Sequence, residues 1–353
     1  MNLKEKTVLI TGGTGSLGKT MTRRILAGRL GRPRKIIIFS RDEAKQHDMR
    51  LAYKNRTVAT DEIIYDNFDD LVEFRIGDVR DYHSIAAVLR TADIVFNAAA
   101  LKQVPSCEYF PYEAVRTNIE GPENIIRAIR ENKLPVEVVV GISTDKACKP
   151  INVMGMTKAI QERLFISANI SCPETRFICV RYGNVLASRG SVIPLFVSQI
   201  KAGGPLTITT KNMTRFLLSL EDAVDVIFAA VKEAKRGEIF VPRVPSARVL
   251  DIAKILIAGR KIKVKIIGIR PGEKLHEILI SEEECPRTSQ RNEYFVIAPM
   301  LPEIKNDADQ RNILSGAYSS AKNLMKMKEL KTLLKEKILF ATDDFGKKDE
   351  WLA

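Results

Sequence analysis

Asp145 and Lys146 stand side by side directly after Ser143-Thr144, and a second lysine, Lys158, follows on the next segment. A carboxyl and an amine held together can serve one substrate as acid and base. Met154 and Lys158 are spaced to share one helix face. A tyrosine at the first of these places would be a phenol acidified by the ammonium, but a thioether takes no proton. Either these two places are not such a pair or the acid–base work moves to a neighbour, for which Asp145 and Lys146 are the candidates. Upstream, Thr11-Gly12-Gly13-Thr14-Gly15-Ser16-Leu17-Gly18 has the spacing of a turn that lets the backbone approach a pyrophosphate, with a helix N-terminus supplying N–H donors. Between a first strand and a first helix, that motif predicts dinucleotide binding.

The elements that must position these residues are legible. Thr7–Ile10, Lys35–Phe39, Leu71–Ile76, Ile94–Phe96 and Val136–Val140 are apolar, β-branched runs, which reads as parallel strands buried on both faces. Lys19–Leu30 and Tyr82–Arg90 carry helical spacing between them. The alternation predicts an α/β, doubly wound parallel sheet of the NAD(P)-binding Rossmann type, with a smaller α/β substrate-binding region behind it. Residues 1–185 form the first region, 186–300 the second, partly interleaved with it, and 301–353 a helical extension. Asp61–Asp70 reads as a solvated excursion and Val241–Pro245 as a Pro-rich linker. Ala321–Lys337 reads as an amphipathic helix whose apolar face meets the core or a second subunit, and Asp343–Ala353, with Trp351, as a polar tail.

The second strand is expected to end near Phe39. Ser40 and Arg41 come next, with Lys45 one turn on, a set suited to a ribose 2′-phosphate and so to NADP. Asp42 or Glu43 would face the ribose, favouring NAD, if that strand ran two residues further. Asp78-Val79 would edge the adenine, and Asn97–Ala100 is small enough for the cofactor to lie against.

The chain of 353 residues is 45% hydrophobic and carries a net charge of +13. Its basic residues are scattered without aromatic interleaving, which argues against nucleic acid and for small phosphorylated ligands. Five cysteines without CxxC or CxxH pairing exclude a disulfide framework and a zinc site and fit a reduced, cytoplasmic setting. No metal is expected. No apolar run reaches the roughly 18 residues a membrane helix needs, and Met1–Lys6 leads into a strand without a signal-peptide core.

The chain resembles the inverting UDP-N-acetylglucosamine 4,6-dehydratases of the extended short-chain dehydrogenase/reductase superfamily, in particular their capsule and O-antigen subgroup. The stretches that carry the likeness are Ile10–Gly18, Phe39–Gln46, Ala98–Cys107, Ser143–Lys158, Arg181–Phe196, Asn212–Ala223 and Arg270–Glu277. Met154 in the tyrosine place is a departure that this subgroup shares. The resemblance implies that Thr14 to Leu17, Ser40 to Lys45, Asp78, Val79, Ala98, Thr117, Lys158 and Val185 line NADP. It places Lys102 where cofactor and sugar meet, and brings Asn184, Arg189 and Arg270 to a UDP-sugar. Glu273, Lys274, His276 and Glu277 of the same stretch stand beside Arg270 as secondary candidates. His276, isolated on an apolar helix face, reads as structural, and His47 and His83 as surface residues. Family members form dimers or hexamers, so a homo-oligomer is implied.

The implied reaction oxidises the hexose at C4, eliminates the C6 hydroxyl as water, reduces C6 and inverts C5. Lys146, its pKa depressed by a closed site, would remove the C5 proton while Asp145 protonates the departing hydroxyl. Asp145, or a water held by Thr144 and Lys158, would deprotonate the C4 hydroxyl. The rival readings are a UDP-N-acetylhexosamine 4-epimerase, an NADP-dependent sugar reductase and a catalytically dead NADP-binding or assembly protein.

Overall fold

The computed structural model of the protein describes residues 2–58, 62–186, 192–304 and 313–343, residues 337–343 by their backbone alone. The apolar runs become β1 (Thr7–Thr11), β2 (Lys35–Ser40), β3 (Val72–Ile76), β4 (Ile94–Asn97), β5 (Val138–Thr144) and β6 (Arg176–Tyr182). They pair in the order β3-β2-β1-β4-β5-β6, all parallel. Beyond β6, Ile239–Pro242 adds in parallel, then Tyr294–Ile297 and Thr288–Arg291 antiparallel, giving nine strands among the described residues. Because β1 bonds to β2 on one side and to β4 on the other, sheet growth reverses there. A crevice opens at the strands' carboxyl ends.

Alternation along each strand explains why the runs are apolar throughout. Val8, Ile10, Ile36, Ile38 and Val140 join one core layer, and Leu9, Ile37, Phe39, Val95 and Val139 the other. Helix α1 (Ser16–Leu26) and the helices Glu62–Leu71 and Leu220–Glu233 cover the first layer. Tyr82–Leu89, Gly121–Asn132 and Val153–Ser171 cover the second. The doubly wound α/β fold is as expected. A third core, with Leu186, Phe196, Leu206, Ile252 and Leu330, includes residues of the small sheets Leu206–Ile208 with Val264–Ile266 and Thr214–Phe216 with Ser246–Arg248, whereas the pair Ile278–Ile280 with Tyr318–Ser319 packs into the second layer.

Four local expectations are corrected. From Glu62 on, the acidic stretch is a helix, because Ile64, Phe68 and Leu71 recur at helical spacing and are buried. The Phe68 ring stacks on Tyr53 at 4.1 Å, and Asn67 donates to the Leu26 carbonyl at 2.8 Å. Val241-Pro242 is no linker but the end of a buried strand, where a missing N–H costs little. The C-terminal helix is Met327–Asp343, starting six residues late because Met325 N–H donates to the Ser246 carbonyl and Asn323 turns at φ +57°. Leu330 and Leu334 then bury into the third core. His276 lies on a loop instead of a helix face, its Nδ1 2.8 Å from the Thr214 hydroxyl.

Candidate active site

The crevice holds a cavity of about 690 Å³ lined from both regions. One wall is the glycine turn: Gly12, Gly15, Ser16, Leu17 and Gly18 face the cavity. Gly12 has φ +64°, and a Cβ on it would lie 2.8 Å from the Ala99 Cα, so the turn crosses the end of β4 where only a hydrogen fits. A Cβ on Gly18 would meet the Gly13 carbonyl oxygen at 2.3 Å, which keeps helix and turn in contact. The α1 N-cap, Gly15, makes no side-chain capping bond. Its first-turn N–H groups are left as donors for an anion. A narrow turn, open helix end and neighbouring small Ala98 fit a dinucleotide pyrophosphate.

The wall opposite comes from the end of β5. Thr144 and the short turn Asp145–Ala147 put Asp145, Lys146 and Thr144 into the cavity. Asp145 is fully buried. Its Oδ1 accepts from the Thr144 hydroxyl at 2.9 Å and from Lys146 Nζ at 3.0 Å, while Oδ2 has no partner. Helix Val153–Ser171 nestles against this turn because Gly155 has no side chain: a Cβ there would be 2.2 Å from the Lys146 carbonyl oxygen. Met154 lines the cavity but packs with Cys107 and Ala114, an apolar place with nothing to move a proton. Lys158 also lines it, and its ammonium donates to the Ile142 carbonyl and Gln161 Oε1, both at 2.8 Å. Burial lowers Lys158 to about 8.

Ala98, Lys102, Asn184, Val185 and Arg270 complete the lining among the expected residues. Thr14, Ser40 to Lys45, Asp78, Val79 and Thr117 lie outside it. Thr14, Val79 and Thr117 are buried, the Thr117 hydroxyl without a partner. The Ser40 hydroxyl accepts from Gln46, and Asp78 pairs with Arg80 and lies 3.5 Å from Arg41. Lys45 pairs with Asp42, whose carboxylate also caps helix Glu43–Lys54. Arg189 falls outside the described residues.

With fold and cavity in view, the relatives can be placed. Residues 8–299 match the model of a family described as polysaccharide biosynthesis protein. The chain belongs to that family. The UDP-glucose 4-epimerase of Rickettsia akari is 46% identical over 298 residues, covering 83% of each chain. The solved structure of Pen from Bacillus thuringiensis superposes with a TM-score of 0.84 at 36% identity, over 96% of this chain and 100% of that one. DesIV, the dTDP-glucose 4,6-dehydratase of Streptomyces venezuelae, solved with NAD and TYD bound, shares the fold at a TM-score of 0.62 and 20% identity, over 76% and 86%. Among the described residues no helix is long and apolar enough to cross a membrane.

At this site the structure overturns one expectation and adds residues. Lys146 is not pushed toward neutrality. Burial alone would lower its pKa, but the Asp145 and Glu277 carboxylates outweigh that and hold it above 10.5. From the sequence Glu277 is only a secondary candidate, and Arg215 is not singled out. Both line the cavity; Glu277 Oε1 is 3.4 Å from Lys146 Nζ and 3.8 Å from Arg215 Nε. Below them lies a further buried set. Arg181 pairs with Glu162 and Glu284 at 2.7 Å each, and the Ser143 hydroxyl donates to Glu162 at 2.5 Å. No spacing motif marks these residues, because their partners come from segments far apart in the chain.

Proposed function

We propose that the protein converts UDP-N-acetylglucosamine to UDP-2-acetamido-2,6-dideoxy-4-keto-L-hexose and water. Its cofactor would be NADP, with NAD the less suited alternative. The observation that carries this reading is the ion pair of buried Asp145 with partly exposed Lys146, facing the glycine turn across one cavity. A nicotinamide dinucleotide, when bound, supplies a two-electron acceptor that takes hydride from C4 of the sugar and returns it at C6. Gly12, Gly15 to Gly18, Ala98, Lys158 and Val185 are the cavity residues suited to hold it, with Asp78, Val79 and Thr117 outside the lining. The preference for NADP is supported by Arg41, half exposed at the end of β2, and by Asp42 being taken up by Lys45 and its helix cap.

Oxidation at C4 requires the hydroxyl proton to leave, and the Asp145 carboxylate takes it. Met154 cannot, and the two carbonyl acceptors that hold the Lys158 ammonium turn it away from that task. Once Asp145 is neutral, the larger of the two charges keeping Lys146 protonated is gone. The partly exposed ammonium can then release its own proton to solvent, and the neutral amine removes the C5 proton, which the adjacent ketone has made acidic. Asp145 delivers its proton to the departing C6 hydroxyl, and water leaves. With the hydride returned at C6, a solvent-derived proton added to C5 on the opposite face would invert that centre. Lys102, Asn184 and Arg270 would bind the sugar diphosphate, Arg270 through paired charge-assisted bonds to phosphate oxygens. Arg189 is assigned to the same task from the resemblance alone.

A second reading, a 4-epimerase of a UDP-hexose, is favoured by the name of the Rickettsia relative. An epimerase has no need of an acid–base pair at C5 and C6. Incubation with UDP-N-acetylglucosamine in heavy water separates them by mass spectrometry. A 6-deoxy-4-keto product with deuterium at C5 supports the dehydratase; an undeuterated hexose supports the epimerase. Stoichiometric consumption of NADPH would instead point to a reductase.

A further inference from the structure

Lys146 lies between two carboxylates, and only one of them is its sequence neighbour. Glu277 is brought in by the strand Ile278–Ile280, and its backbone is clamped by Ser320: Glu277 N–H donates to the Ser320 hydroxyl at 2.9 Å, and Ser320 N–H donates to the Glu277 carbonyl at 2.8 Å. The side chain is 2% exposed. Its Oε1 approaches Lys146 Nζ, while Oε2, like Asp145 Oδ2, is buried without a partner. An anion so enclosed is retained only where a cation compensates it. Besides Asp145 and Glu277, the charged groups around Lys146 are Arg215 and, on the loop leading to Glu277, Lys274, whose Nζ donates to the Cys148 carbonyl at 2.5 Å.

We infer that Glu277 is the second carboxylate of this centre, a positioning residue that shares the Lys146 ammonium with Asp145 and so fixes where the amine keeps its proton. The inference rests on the dehydratase reading for its consequence in turnover, but the contact itself can be tested without it. Asp145 takes up and gives back a proton in the cycle proposed above; Glu277 has no proton-transfer role in it and holds the Lys146 ammonium from the other side.

The test is the Glu277→Gln variant of the full chain, with Glu277→Asp beside it. Trace acetic anhydride labelling across pH, with the Lys146 peptide quantified by mass spectrometry, reads the amine without substrate. Loss of the negative charge should move the Lys146 inflection to lower pH, and each whole pH step of that movement makes the neutral amine roughly tenfold more abundant below the inflection. Glu277→Asp should move it less. In turnover of UDP-N-acetylglucosamine, the inflection that reports Lys146 should move in the same direction. An unchanged labelling profile in folded Glu277→Gln protein, judged by circular dichroism, overturns the inference whatever happens to activity. Should Glu277→Gln fail to fold, an unchanged profile in Glu277→Asp together with full activity overturns it equally. Absence of any turnover by the parent protein would instead sink the dehydratase reading and leave the labelling result standing.

Discussion

At Asp145 the geometry argues for a shuttle: one oxygen is tied to Thr144 and Lys146 and the other is unpartnered in the buried centre. Asp145→Asn keeps the shape and removes the proton transfer, so it should lower kcat by roughly 100-fold to 10,000-fold while dinucleotide affinity, followed by fluorescence titration, stays within about twofold. Lys158 offers a different readout. It titrates at about 8 when folded against 10.5 ordinarily, so the unfolded chain holds the extra proton between those values. Stability therefore rises with pH across that window. Relative to Lys158→Met, the parent should gain up to about 3 kcal/mol between about pH 8 and 10.5, measured by urea unfolding.

Among the elements, the ones that meet at the site are locked by features with separate tests. Arg181 on β6 joins helix Val153–Ser171 through Glu162 to the segment after Ile280 through Glu284. Arg181→Leu would strand two buried carboxylates and should cost about 3–5 kcal/mol in urea unfolding. Glu284 feels the same cation: burial would raise its pKa, but Arg181 outweighs that and holds it at about 2. Its share of stability is complete above 4.5 and should fade as pH drops toward 2. In the glycine turn, Gly12→Ala forces a Cβ against Ala99 at a positive φ. Dinucleotide binding should weaken at least tenfold by titration, with the sheet intact by circular dichroism.

For the whole molecule, the second region is not an appendage, since Ile239–Pro242 and the hairpin Thr288–Ile297 return to complete the sheet beside β6. A chain ended after residue 185 would expose the β6 edge and the apolar faces those strands cover, and should aggregate on expression instead of binding a dinucleotide. Retention of a soluble, NADP-binding fragment would contradict this. Specificity between dinucleotides also belongs to this scale, because β2 and β3 jointly place Arg41 near Asp78. Arg41→Ala should raise KM for NADP severalfold and leave KM for NAD nearly unchanged, as initial rates would show.

By itself the sequence determined the parallel sheet, the glycine turn and the Asp145–Lys146 pair, because β-branched runs, a spacing motif and neighbouring charges are local properties that survive without a partner. It misjudged the acidic helix at Glu62 and the strand at Val241, where burial by distant segments overrode composition. It also expected a depressed Lys146; the adjacent Asp145 is the larger of the two carboxylates that reverse the direction, and the second, Glu277, lies far along the chain. The tertiary structure alone decided that Glu277 faces Lys146, that Arg181 has two carboxylates, and that Met154 sits in an apolar niche. Charge states in a buried site follow from which groups share a low-dielectric space, and only folding brings those groups together.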